Sequence, residues 1–425
     1  MSGNWPGFDL VSYQMGGIEQ VSTPAQSALP QSSALPISSG TDSHNGSAPV
    51  INSSMRILAL DGLRGIAILL VLIRHSVSRV NLANHPTLNW IIGTTSLAWS
   101  GVDLFFVLSG FLIGGILLDA RNSPNYFKTF YIRRAYRILP IYSLVPLLCW
   151  LAYAGGRLGW ISSTWVGSFA GALPWWAFLT FTQNICMAFA PKAVEGSFGI
   201  TWSLAVEEQF YLTLPLLIRY TSPQRLLRAL VPSIVIGAAV LRAVLIMTLP
   251  NGESSVYFLM PTRADALGMG VLAALLVRDA RTWSWLREHR AWLYGAAGVF
   301  LFPLAVISLL HLSVVGLYGT EYSMLALFYA SLLLIAVTGQ DRFVKLVFCN
   351  RALMSLGLIA YGTYLMHRLL IQTVHLGLAP LFPSASAAYS FLTLFLGIGL
   401  TLLIAQISWT WFEKPLVRRG HHYHY

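Results

Sequence analysis

The chain has 425 residues, of which 56% are hydrophobic and only 10% charged, where soluble domains carry roughly a quarter. That balance excludes an ordinary soluble enzyme and indicates an integral membrane protein. The net charge of +11 is not a nucleic-acid footprint, because the basic residues sit in short loops between apolar runs, the pattern that orients membrane proteins. Cys149, Cys186 and Cys349 are too scattered for a disulfide framework or a cysteine metal cluster.

Residues 1–54 are rich in Ser, Gly, Pro, Ala and Asn and hold no Lys or Arg. Such a stretch cannot bury a core and is expected to be a disordered cytoplasmic segment. With neither a basic start nor an apolar run, it is not a secretory signal. Apolar runs of spanning length follow at about 58–79, 98–120, 138–155, 166–185, 203–220, 229–249, 264–280, 291–312, 322–339, 351–375 and 388–411.

The basic residues test that count. Eighteen of the 27 fall in 121–137, 219–228, 278–290, 342–351 and the tail from Lys414. If every run spanned, the first two clusters would face opposite sides. If 166–185 does not span, all five share one side. That run is broken by Pro174 and carries Gly167, Gly171 and Trp175-Trp176, which suits an interfacial or re-entrant segment. The expected fold is an all-α polytopic membrane bundle over 55–416, with about ten transmembrane helices, one re-entrant or interfacial segment and both termini cytoplasmic. A short basic, His-bearing tail follows at 417–425. Eleven spans with a weaker charge bias is the alternative.

The first run carries Asp61, Arg64, Arg74 and His75, groups that are costly in a bilayer and usually face a cavity. Arg64 and His75 are eleven residues apart, about three helical turns, so they share a face about 16 Å apart along the axis. Histidine is the usual general base near neutral pH. The plainer reading is an intramembrane histidine satisfied by a backbone carbonyl. In the second run Asp103, with Ser109 and Gly110 behind it, reads more as a packing residue than a catalytic one.

The segment Tyr126–Pro140 interleaves Lys128, Arg133, Arg134 and Arg137 with Tyr126, Phe127, Phe130, Tyr131 and Tyr136. Arginine forks match phosphate oxygens, and aromatic rings can stack on a base. Orientation signalling and lipid headgroup contact explain the charge equally well. Glu207 and Glu208 are adjacent and point about 100° apart, so one can face inward to hold an imidazole while the other faces sideways. The alternative is a pair of acids favoured near a helix N-terminus. Arg263 and Asp265 read as an ion pair sealing a helix end or as substrate contacts. His367, in Tyr361-Gly-Thr-Tyr364-Leu-Met-His, is a second polar candidate or a helix–helix hydrogen bond. The tail histidines His421, His422 and His424 are assigned no function, and no metal site is read.

Taken together these segments resemble acyltransferase family 3, membrane O-acyltransferases. The likeness is carried by Leu60-Asp-Gly-Leu-Arg-Gly-Ile-Ala with His75 eleven residues after Arg64, and by Gly101-Val-Asp-Leu-Phe-Phe-Val-Leu-Ser-Gly-Phe-Leu-Ile. It continues through Phe130-Tyr-Ile-Arg-Arg-Ala-Tyr-Arg-Ile-Leu-Pro, Trp202-Ser-Leu-Ala-Val-Glu-Glu-Gln-Phe-Tyr, Arg263-Ala-Asp-Ala-Leu-Gly, Ala360-Tyr-Gly-Thr-Tyr-Leu-Met-His367 and Phe412-Glu-Lys-Pro. The order holds across about 56–416.

The resemblance implies ten helices, an acyl-CoA donor (often acetyl-CoA) used from the cytoplasm, and an acceptor hydroxyl on a surface or lipid-linked saccharide. It implies a bacterial inner membrane as the location. Arg64 and His75 take the place of the family's essential pair. Arg134 and Arg137 take that of its cytoplasmic basic motif, and Glu207 or Glu208 its acidic motif. The chain departs from the pattern at Arg74, where an apolar residue is common, and at Ala360, where a small hydroxyl residue is frequent. Any esterase-like partner domain, such as some relatives carry, is expected on a separate protein.

The mechanism expected from these residues has His75 deprotonating the acceptor, Glu207 holding the imidazole and Arg134/Arg137 holding the donor. A covalent acyl-His75 intermediate is a variant. The rival class is a secondary transporter with an intramembrane His/Arg/Glu site, although no inverted repeat is visible. A scaffold for glycan assembly is a third reading, and it leaves the intramembrane histidine unexplained.

Overall fold

The computed structural model describes residues 53–77, 95–160, 173–190, 196–309, 319–339, 341–382 and 387–425. The expected disorder of 1–54 lies outside these residues, save that Ser53 and Ser54 open the first helix. The first part of the expected re-entrant segment, 166–172, also lies outside them.

All regular structure among the described residues is helical. Helix α1 (Ser53–Val77) is followed by a 3-10 turn, Ser96–Ser100, that feeds α2 (Gly101–Asp119). Next come α3 (Tyr126–Tyr142), α4 (Leu144–Arg157) and the short α5 (Trp175–Leu179) and α6 (Gln183–Phe189). A second 3-10 turn, Ser197–Thr201, opens α7 (Trp202–Tyr220). The middle of the chain holds α8 (Val231–Thr248), α9 (Gly252–Phe258), α10 (Met260–Leu276), α11 (Ala280–Glu288) and α12 (Arg290–Leu309). The last part holds α13 (Thr320–Thr338), α14 (Arg342–Val347), α15 (Arg351–Leu358), α16 (Ala360–Leu378), α17 (Ala387–Ser408) and α18 (Lys414–His421).

Among the described residues, seven helical stretches are long and apolar enough to cross a membrane: Leu97–Asp119, Tyr126–Arg157, Pro223–Thr248, Gly252–Leu276, Arg290–Leu309, Thr320–Thr338 and Tyr389–His421. Helices α1, α7 and α16 have the length, at 25, 19 and 19 residues, but carry polar groups along it. The outer faces fit a lipid setting. Ile236, Trp292, Phe302, Phe395 and Leu403 are large, apolar and exposed, which a soluble surface avoids.

The core is built on helix crossings that only glycine permits. Gly110 of α2 and Gly270 of α10 meet so closely that a Cβ on either would run into the other helix's backbone, at Leu267 and Val107. Gly62 and Gly65 of α1 lie in the same way against the backbone of Phe348 and Leu353, and Gly357 lies against Asp61. Small residues allow this approach where no hydrophobic drive separates helix from lipid.

One end of the bundle gathers the basic clusters. Arg121 and Arg219 each donate to the other's backbone carbonyl, and the Tyr126 hydroxyl donates to the Pro215 carbonyl at 3.0 Å. Asp119 pairs with Arg278 at 2.7 Å, and Arg290 pairs with Asp341 at 2.7 Å. The tail returns to the same end, where Thr129 Oγ1 donates to the His424 carbonyl at 2.8 Å and Arg133 Nε to that of Tyr423 at 2.9 Å.

Two elements differ from the sequence reading. Much of the stretch taken as the loop 121–137 is helix, because Tyr126, Thr129 and Phe130 recur at helical spacing and bury one side. The run 351–375 is two helices, α15 and α16, broken at Ile359. Within 173–190, α5 has five residues and α6 seven, joined near Phe181, whose φ is 52°. Neither is long enough to cross a bilayer.

Candidate active site

Helix α1 has to carry polar groups through an apolar bundle, and each is anchored locally. Arg64 Nη1 donates to Asp61 Oδ1 at 2.8 Å, an i, i+3 pair on one turn. The His75 ring reaches back four residues, its Nδ1 lying 3.0 Å from the Val71 carbonyl. A carbonyl partner is satisfied when Nδ1 carries the proton, which leaves the lone pair on Nε2.

His75 lines a cavity of about 500 Å3, a volume suited to a small ligand. Val71 and Arg74 join it from α1, Trp99 and Val102 from the entry to α2, and Trp202 from the start of α7. Tyr257 of α9 and Tyr364 and Arg368 of α16 close the wall. The cavity is therefore aromatic on several sides, with two guanidinium groups and one imidazole on its lining. The Tyr364 hydroxyl is held by Ser203 at 2.6 Å and by the Ile200 carbonyl at 2.8 Å, so its ring is fixed against the α7 entry.

His367 stands behind that lining, fully buried. Its ring centroid is 4.9 Å from that of His75, edge to face. Its Nδ1 lies 2.7 Å from the Tyr364 carbonyl and 3.3 Å from that of Thr363. Its Nε2 has no hydrogen-bond partner among the described residues.

A second polar cluster sits nearer the basic end. Tyr211 donates to Glu207 Oε2 at 3.3 Å and lies 2.5 Å from Ser109 Oγ. The Arg134 guanidinium lies 5.3 Å from the centre of the Tyr211 ring and 6.0 Å from that of Phe130. Arg137 feels the charges of Arg64, Arg134 and Glu207. Arg64, Arg134, Arg137 and Glu207 thus form one group. Glu208 is half-buried, and its Oε1 lacks a partner among the described residues. Of the other basic candidates, Lys128 is exposed, and Arg133 turns to the tail, 5.0 Å from the Tyr425 ring centre.

The expected Arg263–Asp265 ion pair is corrected. Residues two apart on a helix point about 200° apart and cannot face each other. Arg263 pairs with Asp103 of α2 at 2.6 Å, and Asp265 with Arg242 of α8 at 2.8 Å. Ser323 of α13 bridges the latter pair, 2.8 Å from Asp265 and 2.5 Å from Arg242. Arg263 is boxed by rings, its Cζ 4.1 Å from the centre of Tyr322 and within 6 Å of those of Phe106, Trp202 and Tyr257. Asp103 is a packing residue in this sense: it ties α2 to α10 directly beneath the cavity's aromatic wall.

The expectation that Glu207 holds the His75 imidazole does not match these contacts. Glu207 is engaged by Tyr211 in the arginine group, while the ring packed against His75 is that of His367. Sequence reasoning passed over Tyr211, Arg368, Trp99, Trp202 and Tyr257 as site residues. Tyr211 lies four residues after Glu207, and Arg368 follows His367 in an apolar run, so both carried a signal. Trp202 heads the segment that holds Glu207 and so carried one too, whereas Trp99 and Tyr257 come from other segments and carried none. Among the described residues, no group of three or more His, Cys, Asp or Glu could hold a metal ion.

A family model for the acyltransferase 3 family, described as an acyltransferase domain, matches residues 57–409. The peptidoglycan O-acetyltransferase OatA of Listeria monocytogenes is 27% identical over 384 residues, 85% of this chain and 56% of the relative. A putative peptidoglycan O-acetyltransferase of Bacillus subtilis, YrhL, is 28% identical over 383 residues, 86% of this chain and 55% of the relative. A putative O-acetyltransferase of Staphylococcus aureus strain COL is 25% identical over 379 residues, covering 86% and 58%. The chain thus spans little more than half the length of these relatives. No solved structure matches it.

Proposed function

The chain belongs to the acyltransferase 3 family, and from that premise we propose that it moves an acyl group, acetyl in the simplest case, from cytoplasmic acyl-CoA to a saccharide hydroxyl presented on the far side of the membrane. The observation that carries this reading is the cavity lined by His75, set about three turns along α1 from the group of Arg64, Arg134 and Arg137. The relatives named as peptidoglycan O-acetyltransferases support a saccharide acceptor.

In this reading the donor's phosphates lie against Arg134 and Arg137, whose forks suit phosphate oxygens. The extended pantetheine arm runs beside α1 toward the cavity. His75 Nε2 takes the proton of the acceptor hydroxyl as that oxygen bonds to the thioester carbonyl carbon. The C–S bond then breaks, CoA leaves as its thiolate and recovers the proton, and the acyl ester remains on the saccharide.

The membrane arrangement follows the same residues. With α1, α7 and α16 added to the seven apolar stretches, the bundle has ten spans, and the polar groups of those three are the ones the reaction needs. The contact of Arg121 with Arg219 supports a common side for the 121–137 and 219–228 clusters, which eleven spans would separate. Cationic loops favour the cytoplasm, so we place that basic end and both termini there, in a bacterial inner membrane. The short α5 and α6 then occupy an interfacial or re-entrant position.

The test is thiol release from acetyl-CoA by the purified protein in lipid nanodiscs, with saccharide acceptors supplied. Wild type releases CoA in step with ester formation. His75→Ala abolishes both while leaving expression and thermal stability near wild type. A wild-type protein that neither hydrolyses nor transfers, yet moves solutes across vesicles, would instead be a transporter.

A further inference from the structure

The arginines that are buried among the described residues are each neutralised by a carboxylate. Arg242 pairs with Asp265, Arg263 with Asp103 and Arg278 with Asp119. Arg74 and Arg368 are different. Both line the His75 cavity, from two helices, and neither has a carboxylate within ion-pair distance among the described residues. Among the described residues, no Asp or Glu lines the cavity. Arg74 is exposed and Arg368 half-buried, so two guanidinium groups from different helices are presented to the cavity and open to an incoming anion.

We infer that the acceptor in this cavity carries an anionic group, a carboxylate or phosphate oxyanion, within one sugar ring's reach of the hydroxyl that is acylated, and that Arg74 and Arg368 bind it. Trp99, Trp202 and Tyr257 supply faces on which the apolar side of a sugar ring packs. Guanidinium forks bind carboxylate and phosphate oxygens in the same geometry, so the arginines specify the charge and leave its source open. This assignment rests on the acyl-transfer reading for the role of the cavity, and it adds the class of acceptor.

The experiment is isothermal titration of the full chain in nanodiscs with three sugars that share free hydroxyls. These are N-acetylglucosamine (neutral), N-acetylmuramic acid (carboxylate) and N-acetylglucosamine 1-phosphate (phosphate). At least one anionic sugar is expected to bind about 10- to 100-fold more tightly than the neutral one, the range of a charge-assisted contact. The two anionic arms tell which source is used. Arg74→Gln and Arg368→Gln erase the margin, and Arg74→Lys and Arg368→Lys keep most of it, which separates lost charge from lost folding. Equal binding of all three sugars, no binding by any, or a margin that survives the double Gln variant overturns the inference. Competitive displacement of the bound sugar by CoA also overturns it, since the arginines would then serve the donor. Thiol release is scored in parallel. A charge-selective cavity without acyl transfer would sink the proposed reaction alone, and transfer without selectivity would sink this inference alone.

Discussion

At the scale of single residues, the helical repeat did most of the work. Arg64 and His75 were legible because eleven residues close three turns, and their types are rare in an apolar run. Arg134 and Arg137 stood out as an arginine pair three residues apart, and the proposed donor role rests on them. Their substitution by alanine, singly, is expected to raise the KM for acetyl-CoA about 10- to 100-fold, the worth of one charge-assisted contact, with a smaller change in kcat. Initial rates of thiol release against acetyl-CoA concentration check this. An unchanged KM in both variants would remove them from the donor site. Arg263 and Asp265 show the limit of such reasoning. Proximity in the chain suggested a pair, yet a two-residue offset on a helix puts the groups on opposite sides. Their true partners, 160 and 23 residues away, lie on helices whose neighbours no one-dimensional pattern reveals.

At the scale of helices, the pairing of α2 with α10 decides where the cavity wall stands. Gly110 and Gly270 bring the two backbones together, and Asp103–Arg263 fixes their register beneath Trp202 and Tyr257. Both partners of that ion pair are buried, so removing one leaves a charge without compensation. Asp103→Ala is expected to cost about 3–5 kcal/mol, while replacing both residues by apolar ones of similar volume should recover much of the loss. Thermal unfolding in detergent measures it. A stable single variant together with an unstable double one would show that the pair does not act as a unit. The helix content was legible from the apolar runs, including most boundaries to within a few residues. The helical form of 126–142 was not, because its arginines drew attention to charge and away from the period of Tyr126, Thr129 and Phe130. The aromatic wall was legible least of all, being assembled from four elements that adjoin only after folding.

At the scale of the whole molecule, the five basic clusters act as one feature. Read as charge bias they argue for ten spans, and the structure gathers them at one end of the bundle through Arg121–Arg219, Asp119–Arg278, Arg290–Asp341 and the tail on Thr129. Reporter insertions at Ser123 and after Arg228 should therefore give the same cytoplasmic signal in whole cells. Opposite signals would require an odd number of crossings between them and would restore the eleven-span alternative. The three spanning-length helices that are poorest in apolar residues, α1, α7 and α16, converge on the two polar sites. On the proposed ten-span reading, the three helices that a hydropathy criterion leaves out are those that carry the polar groups.

The returning tail has a practical side. Because His424 and Tyr423 are seated on Thr129 and Arg133, the last residues of this chain are part of the packed body beside the arginine group. A purification handle or fluorescent fusion joined there would begin from a lodged anchor and would compete with it for space. Preparations intended for donor-binding work are better tagged at the opposite terminus or with a removable handle.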